Sequence, residues 1–185
     1  LPERALEALK PALAENPADA ELWSIAGQAY SRLGDFRQAD AAFARAGALR
    51  PGDAGTRTAA AKSQIARGKV DLGLRELEAA ALADADGIGS DLVLVAAQMQ
   101  RGHRAAAMQA LDAAARKRPE QPLPAYLRGR ALEQFGDRAG ARGAYEQALA
   151  KDGRFRQAAE ALAALDLAER RPHDARKRYE ALIEQ

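Results

Sequence analysis

The 185 residues include no cysteine, which excludes disulfides, thiolate metal sites and cysteine nucleophiles while fitting either a cytosol or a periplasm. Hydrophobic residues make up 48% of the chain and aromatics only 5%, so alanine and leucine, both strong helix formers, dominate the apolar count. Net charge is +2. It divides into 11 basic against 14 acidic residues over 1–100 and 17 against 12 over 101–185, a gradient too mild for a dedicated nucleic-acid binder. β-Branched residues are too scarce to furnish a sheet. No run approaches 18 apolar residues and the charged N-terminus is no signal peptide, so this segment is expected neither to span nor to contact a membrane. The chain reads as all-α.

In chain order, the elements follow a period of 34 residues, marked by Gly34, Gly68, Gly102 and Gly136. Residues 1–19 supply the second helix of a hairpin, with Leu9 between Ala5 and Ala12; Pro11 is predicted to kink or shorten it, at about 3 kcal/mol. Residues 20–53 form the first full hairpin, which ends at Pro51. Its second helix carries Ala39, Phe43 and Ala46, spaced i, i+4, i+7 on one apolar stripe. The same small–large–small stripe returns as Gly73, Leu77, Ala80; Ala107, Leu111, Ala114; Ala141, Tyr145, Ala148; and Ala175, Tyr179, Leu182. Small residues let a neighbouring helix approach while the large one fills the groove beside it.

Blocks 54–87, 88–121 and 122–155 are further full repeats, and 156–185 is the final one. Block 54–87 departs most, with Arg57, Ala61 and Gln64 in its apolar columns, and block 88–121 puts Asp91 and Gln98 in two of them; these first helices are expected to pack less tightly. In the last block Arg170 replaces the corner glycine, followed by Arg171 and Pro172. Proline suits a first helical turn, so that corner is predicted to survive. Both ends read as cut, and the natural protein is expected to continue in each direction.

Trp23, Gly27, Tyr30, Ala39, Phe43 and Pro51 resemble the tetratricopeptide repeat (TPR) signature, with Ala26 where leucine is usual. The resemblance covers residues 1–185 as one array and implies a TPR α-solenoid of antiparallel helix hairpins in a right-handed superhelix. In that family the first helix of each hairpin lines a concave surface that binds a protein or peptide. The corresponding residues here are Ser24, Gln28 and Ser31; Thr58 and Lys62; Leu92, Val93, Ala96 and Met99; Leu123, Tyr126, Leu127, Arg130 and Glu133; then Glu160, Ala164 and Leu167. The groove is expected to begin polar and turn apolar, with Leu92, Val93, Met99, Tyr126 and Leu127 as an exposed patch. A subgroup that grips chaperone tails uses a Lys/Asn/Arg clamp; Ser24, Gln28, Ala59, Gly89 and Val93 at comparable places offer no such set.

His103 and His173 lie at or just after corners, 70 residues apart, which argues for surface histidines over a metal site. The runs Arg116–Lys117–Arg118 and Arg176–Lys177–Arg178 are explained by solvated helix faces, and nucleic acid is not the expected partner. No residues assemble into a catalytic set and no cofactor is expected.

Longer phrases, such as "PLPAYLRGRALEQFGDRAGARGAYEQALAKDGRF" and "AAEALAALDLAERRPHDARKRYEALI", look like the TPR lipoproteins that accompany PEP-CTERM/exosortase systems of Gram-negative bacteria. That resemblance implies a lipid-anchored, periplasmic or outer-membrane-anchored protein linked to exopolysaccharide production and protein sorting; the alternative is a cytoplasmic one. The sequence thus points to a non-enzymatic scaffold. Binding of an anionic polysaccharide or RNA by the basic second half, and self-association, are the other readings.

Overall fold

The computed structural model describes residues 2–183, and among them the chain forms eleven α-helices and no strand. They are α1 (Pro2–Glu15), α2 (Ala20–Arg32), α3 (Phe36–Leu49), α4 (Ala54–Ala66), α5 (Val70–Ala83), α6 (Gly89–Gln100), α7 (Arg104–Lys117), α8 (Leu123–Gln134), α9 (Arg138–Lys151), α10 (Arg156–Ala168) and α11 (Pro172–Ile183). The helices gather into two compact units, residues 1–94 and 95–185, with the division inside α6.

Five corners are closed in the same way. Gly34, Gly68, Gly102 and Gly136 have φ between 72° and 86°, the left-handed conformation that a Cβ disfavours. The residue after each donates its N–H back five residues: Asp35 to the Tyr30 carbonyl at 3.0 Å, Lys69 to Gln64 at 2.9 Å, His103 to Gln98 at 3.0 Å and Asp137 to Leu132 at 2.8 Å. This is the long hydrogen bond of a Schellman cap, and it satisfies a carbonyl that the helix end would otherwise leave open. Arg170 takes φ 58° without being glycine, and Arg171 N–H reaches the Asp166 carbonyl at 2.7 Å. The last corner survives, as expected. At two corners the next helix is capped by its aspartate: Asp35 accepts from Gln38 N–H at 3.1 Å and Asp137 from Gly140 N–H at 2.9 Å.

In the first unit α1 packs on α2, α2 on α3, both of these on α4, and α4 on α5. Gly27 of α2 is the notch for Phe43 of α3: a Cβ on Gly27 would lie 2.7 Å from that ring. Leu9, Ala26 and Ala42 form a core against which Trp23 and Tyr30 pack, and Trp23 Nε1–H donates to the Pro17 carbonyl at 3.0 Å. α1 is not shortened by Pro11, which lies inside its span; one missing N–H removes one intrahelical bond, and packing on α2 retains the rest. The atypical α4 is held partly by polar contacts, with Thr58 Oγ1 2.7 Å from Ser90 Oγ.

In the second unit α7 packs on α8, α8 on α9, α9 on α10 and α10 on α11. Its core joins Ala125, Ala141, Tyr145, Ala148, Ala158, Leu162 and Leu165. Gly129 is the notch for Tyr145, as Gly27 is for Phe43. The small–large column stays buried at Leu77, Leu111 and Tyr145, whereas Tyr179 is 42% exposed. Asp91 and Gln98 are both buried; Gln98 Oε1 lies 3.0 Å from His103 Nδ1, so a polar residue in an apolar column finds a partner at the corner.

Asp166 is fully buried. Arg178 Nε donates to its Oδ2 at 2.7 Å, and Arg142 and Arg171 approach Oδ1 at 2.8 and 3.4 Å. Burial pushes this carboxyl up, but Arg178 and Arg142 outweigh it and hold it below the usual carboxylate range.

Candidate functional site

The first helices of the last two hairpins, α8 and α10, border a cavity of about 640 Å³. Helical spacing explains its walls. Tyr126, Arg130, Glu133 and Gln134 fall at i, i+4, i+7 and i+8 on one face of α8, and Gln157, Glu160, Ala161 and Ala164 at i, i+3, i+4 and i+7 on α10. Met99 of α6 completes the lining, and Gln134 Nε2 donates to its carbonyl at 3.1 Å.

Tyr126 is half-buried. Its ring sits 5.8 Å from that of Tyr145 and 5.5 Å, edge-on, from Phe155, a geometry that suits ring quadrupoles. Arg130 Nη1 donates to the Tyr126 hydroxyl at 3.1 Å; this bond, more than any other influence, holds the guanidinium above its already high value. The groove therefore keeps a permanent cation. Tyr145 Oη donates to Glu133 Oε2 at 2.7 Å. Burial first, and the Glu133 carboxylate second, push the Tyr145 hydroxyl well above its ordinary value, so it stays a donor through the physiological range. Arg156 Nε pairs with Glu160 Oε1 at 2.6 Å. A guanidinium, two carboxylates and two amides thus line the cavity together with the half-buried Tyr126.

Of the residues singled out from sequence, Met99, Tyr126, Arg130, Glu133, Glu160 and Ala164 come together here. Leu123 and Leu127 are half-buried and outside the lining; Leu167 is 53% exposed, also outside it. Leu92 and Val93 are half-buried in α6. The expected exposed apolar patch is thus corrected: Leu92, Val93, Met99, Tyr126 and Leu127 are all half-buried, and the open part of the α8–α10 groove is polar. Tyr126 shows one reason, since its ring is spent on Tyr145 and Phe155. In the first unit Ser24 is buried, while Gln28 and Lys62 are exposed and line a smaller cleft between α2 and α4. Sequence reasoning missed Gln134, Gln157 and Ala161, although each lies within one helical turn of a residue it named.

The second basic run is engaged within its own unit. Arg176 pairs with Glu180 at 2.7 Å and Arg178 with Asp166. Among the described residues no group of three or more His, Cys, Asp or Glu side chains could hold a metal ion, and no helix is long and apolar enough to cross a membrane.

Comparison with known proteins places the fold. A tetratricopeptide repeat family model matches residues 2–65. MamA, in a crystal structure, is 20% identical with a TM-score of 0.64, covering 85% of this chain and 92% of its own. A thermophilic TPR protein of Thermus thermophilus is 24% identical, with a TM-score of 0.61 and coverage of 90% and 91%. PilF of Pseudomonas aeruginosa is 20% identical, with a TM-score of 0.69 and coverage of 92% and 78%. No curated protein matches by sequence. TPR proteins generally serve as protein–protein interaction scaffolds; residues 2–65 of this chain match their repeat, and over most of its length the chain shares their all-α fold of repeated helix hairpins.

Proposed function

We propose that the chain is a non-enzymatic scaffold whose α8–α10 groove receives an extended segment of a protein partner. The observation that carries this reading is the 640 Å³ cavity itself, whose lining combines Tyr126 with hydrogen-bond donors and acceptors from both helices. An extended peptide presents N–H and C=O groups in alternation, which the Gln134 and Gln157 amides and the Glu133 and Glu160 carboxylates complement. Arg130 adds a fixed positive charge for an acidic group of the partner.

The wider setting of this reading is a Gram-negative envelope assembly of the PEP-CTERM/exosortase kind, with the protein periplasmic or outer-membrane-anchored. Its support is the resemblance of the inter-repeat phrases to lipoproteins of those systems. Binding of an anionic polysaccharide or RNA is the weaker reading, because Arg176 and Arg178 already face carboxylates.

A photo-crosslinking residue at Gln157, with another at the exposed Glu146 of α9 as control, tests the groove. The expected result is a discrete crosslinked partner from position 157, absent from position 146 and lost on Arg130→Glu. Equal crosslinking from both positions overturns the assignment. Protease accessibility of the native gene product in spheroplasts tests the compartment, and protection behind an intact inner membrane would refute the envelope setting.

A further inference from the structure

Antiparallel hairpins place their corners at one end and the links between hairpins at the other. In the first unit the links are residues 16–19, 50–53 and 84–88, and in the second 118–122 and 152–155. These two link edges carry opposite charge. Around the first lie Glu15, Asp19, Glu21, Asp53, Asp84 and Asp86, against Arg50 and Arg57. Around the second lie Arg116, Lys117, Arg118, Lys151, Arg154 and Arg156, against Glu120, Asp152 and Glu160. Neighbouring links meet within each edge. Glu21, Arg50 and Asp53 border one hollow of about 360 Å³, and Lys151 Nζ donates to the Pro119 carbonyl across the two links of the second unit.

Helix dipoles alone do not sort the charges in this way. Acids suit helix N-termini and bases suit C-termini, and each edge contains both kinds of end. The first edge uses the acids: Asp19 and Asp53 cap α2 and α4, while α1, α3 and α5 have no base in the last turn. The second uses the bases: Arg116, Lys117 and Lys151 close α7 and α9, while α8 and α10 have neither an acid in the first turn nor a side-chain cap. Part of each set is engaged locally. Arg156 pairs with Glu160, Asp152 accepts from Arg154 N–H at 2.9 Å, and Asp84 accepts from Gly87 N–H at 2.6 Å. Glu15, Glu21 and Asp86 on one edge, and Arg116, Arg118 and Arg154 on the other, are exposed. No ion pair or hydrogen bond engages these six side chains among the described residues.

We infer that the acidic link edge of one copy docks on the basic link edge of a second copy of this chain. Like charges crowded on an exposed edge repel one another, and a surface of opposite sign relieves that repulsion. A polyanion would answer the second edge and leave the first unexplained, whereas a second copy answers both. The edges also match in spacing. Asp19 and Asp53 stand one repeat apart, as do Lys117 and Lys151, so charge steps along both edges at the interval between neighbouring hairpins. The contact joins two different patches and is therefore heterologous. Being exposed and ionic, it is screened by salt. It does not depend on what occupies the α8–α10 groove.

The test is sedimentation velocity of the intact chain over a concentration series at low and high sodium chloride, with two charge-reversed variants: Arg116→Glu/Arg118→Glu/Arg154→Glu, and Glu15→Lys/Glu21→Lys/Asp86→Lys. The unaltered chain is expected to associate at about 50 mM salt and about tenfold more weakly at about 500 mM. Each variant carries one prevailing sign on both edges and is expected to be monomeric alone, with the far-ultraviolet dichroism of the unaltered chain because all six positions are exposed. A one-to-one mixture of the two variants is expected to associate again. Only folded variants can complement each other, so the mixture separates a lost contact from a lost fold. A chain monomeric at every concentration, association indifferent to salt, association kept by either variant alone, or a mixture of folded variants that stays monomeric would overturn the contact. Binding of a heparin fragment by an unaltered chain that stays monomeric would overturn it too, and would give the basic edge to a polyanion.

Discussion

The hairpin α2–α3 and the hairpin α10–α11 solve the same problem with different materials. In α2–α3 the corner is a glycine, the next helix has an aspartate cap, and the large ring of Phe43 is sunk against Gly27. In α10–α11 the corner is Arg170, the large ring, Tyr179, is 42% exposed, and a fully buried Asp166 gathers Arg142, Arg171 and Arg178. The first relies on shape, the last on charge. The backbone path is nonetheless alike, down to the five-residue hydrogen bond at the corner. A repeat frame is therefore a backbone solution that more than one set of side chains can hold in place.

The largest effect expected from breaking this comparison is Asp166→Ala, which leaves three guanidinium groups around a vacated site. Breaking a buried pair by removing one partner costs on the order of 3–5 kcal/mol. Amide exchange should show α10 and α11 losing protection while α2 and α3 keep theirs. Phe43→Ala is the mirror experiment, with about 3–5 kcal/mol lost from the cavity it leaves and protection lost in α2 and α3. Gly27→Ala tests shape from the other side, because the added methyl meets the Phe43 ring; about 1–3 kcal/mol of overpacking is expected.

Acid sharpens the same contrast. Asp166 is held below the usual carboxylate range in the folded chain, so its contribution is fully present above the ordinary carboxylate pKa. It is lost as pH falls through the lowered folded value. An acid titration followed by amide exchange should loosen α10–α11, and Asp166→Asn should flatten that dependence. The smallest effects are at the corners themselves. Arg170→Gly should stabilise by about 1 kcal/mol and Gly34→Ala should destabilise by a similar amount, since a left-handed residue with a Cβ costs roughly 1–2 kcal/mol; both are read as shifts in urea midpoint.

The hairpins were legible in sequence because their determinants are local. A glycine every 34 residues, an i, i+4, i+7 stripe and a proline at a first turn each act within one or two helical turns, and the corner at Arg170 followed from Pro172 without any glycine. What sequence could not show are the pairings between helices. The Asp166 cluster draws on α9 and α11 as well as α10, and nothing in the spacing of Arg142 and Arg178 announces that they converge. The candidate groove was half legible: Tyr126 and Arg130 follow from the helix face, but the stacking of Tyr126 on Tyr145 and Phe155 decides that its ring is wall rather than open surface. Leu92, Val93 and Leu127 were read as open for the same reason, since a period assigns a face but not the depth at which neighbours bury it.

Trp23 is the single tryptophan of the chain, fastened through its indole N–H to the Pro17 carbonyl in the first unit. Red-edge excitation therefore gives an optical signal private to residues 1–94, while the Tyr126–Tyr145–Phe155 stack absorbs for the other half. Overlaying emission on far-ultraviolet dichroism during a melt turns that asymmetry into a count of cooperative transitions: one curve if the halves yield together, two if each yields alone.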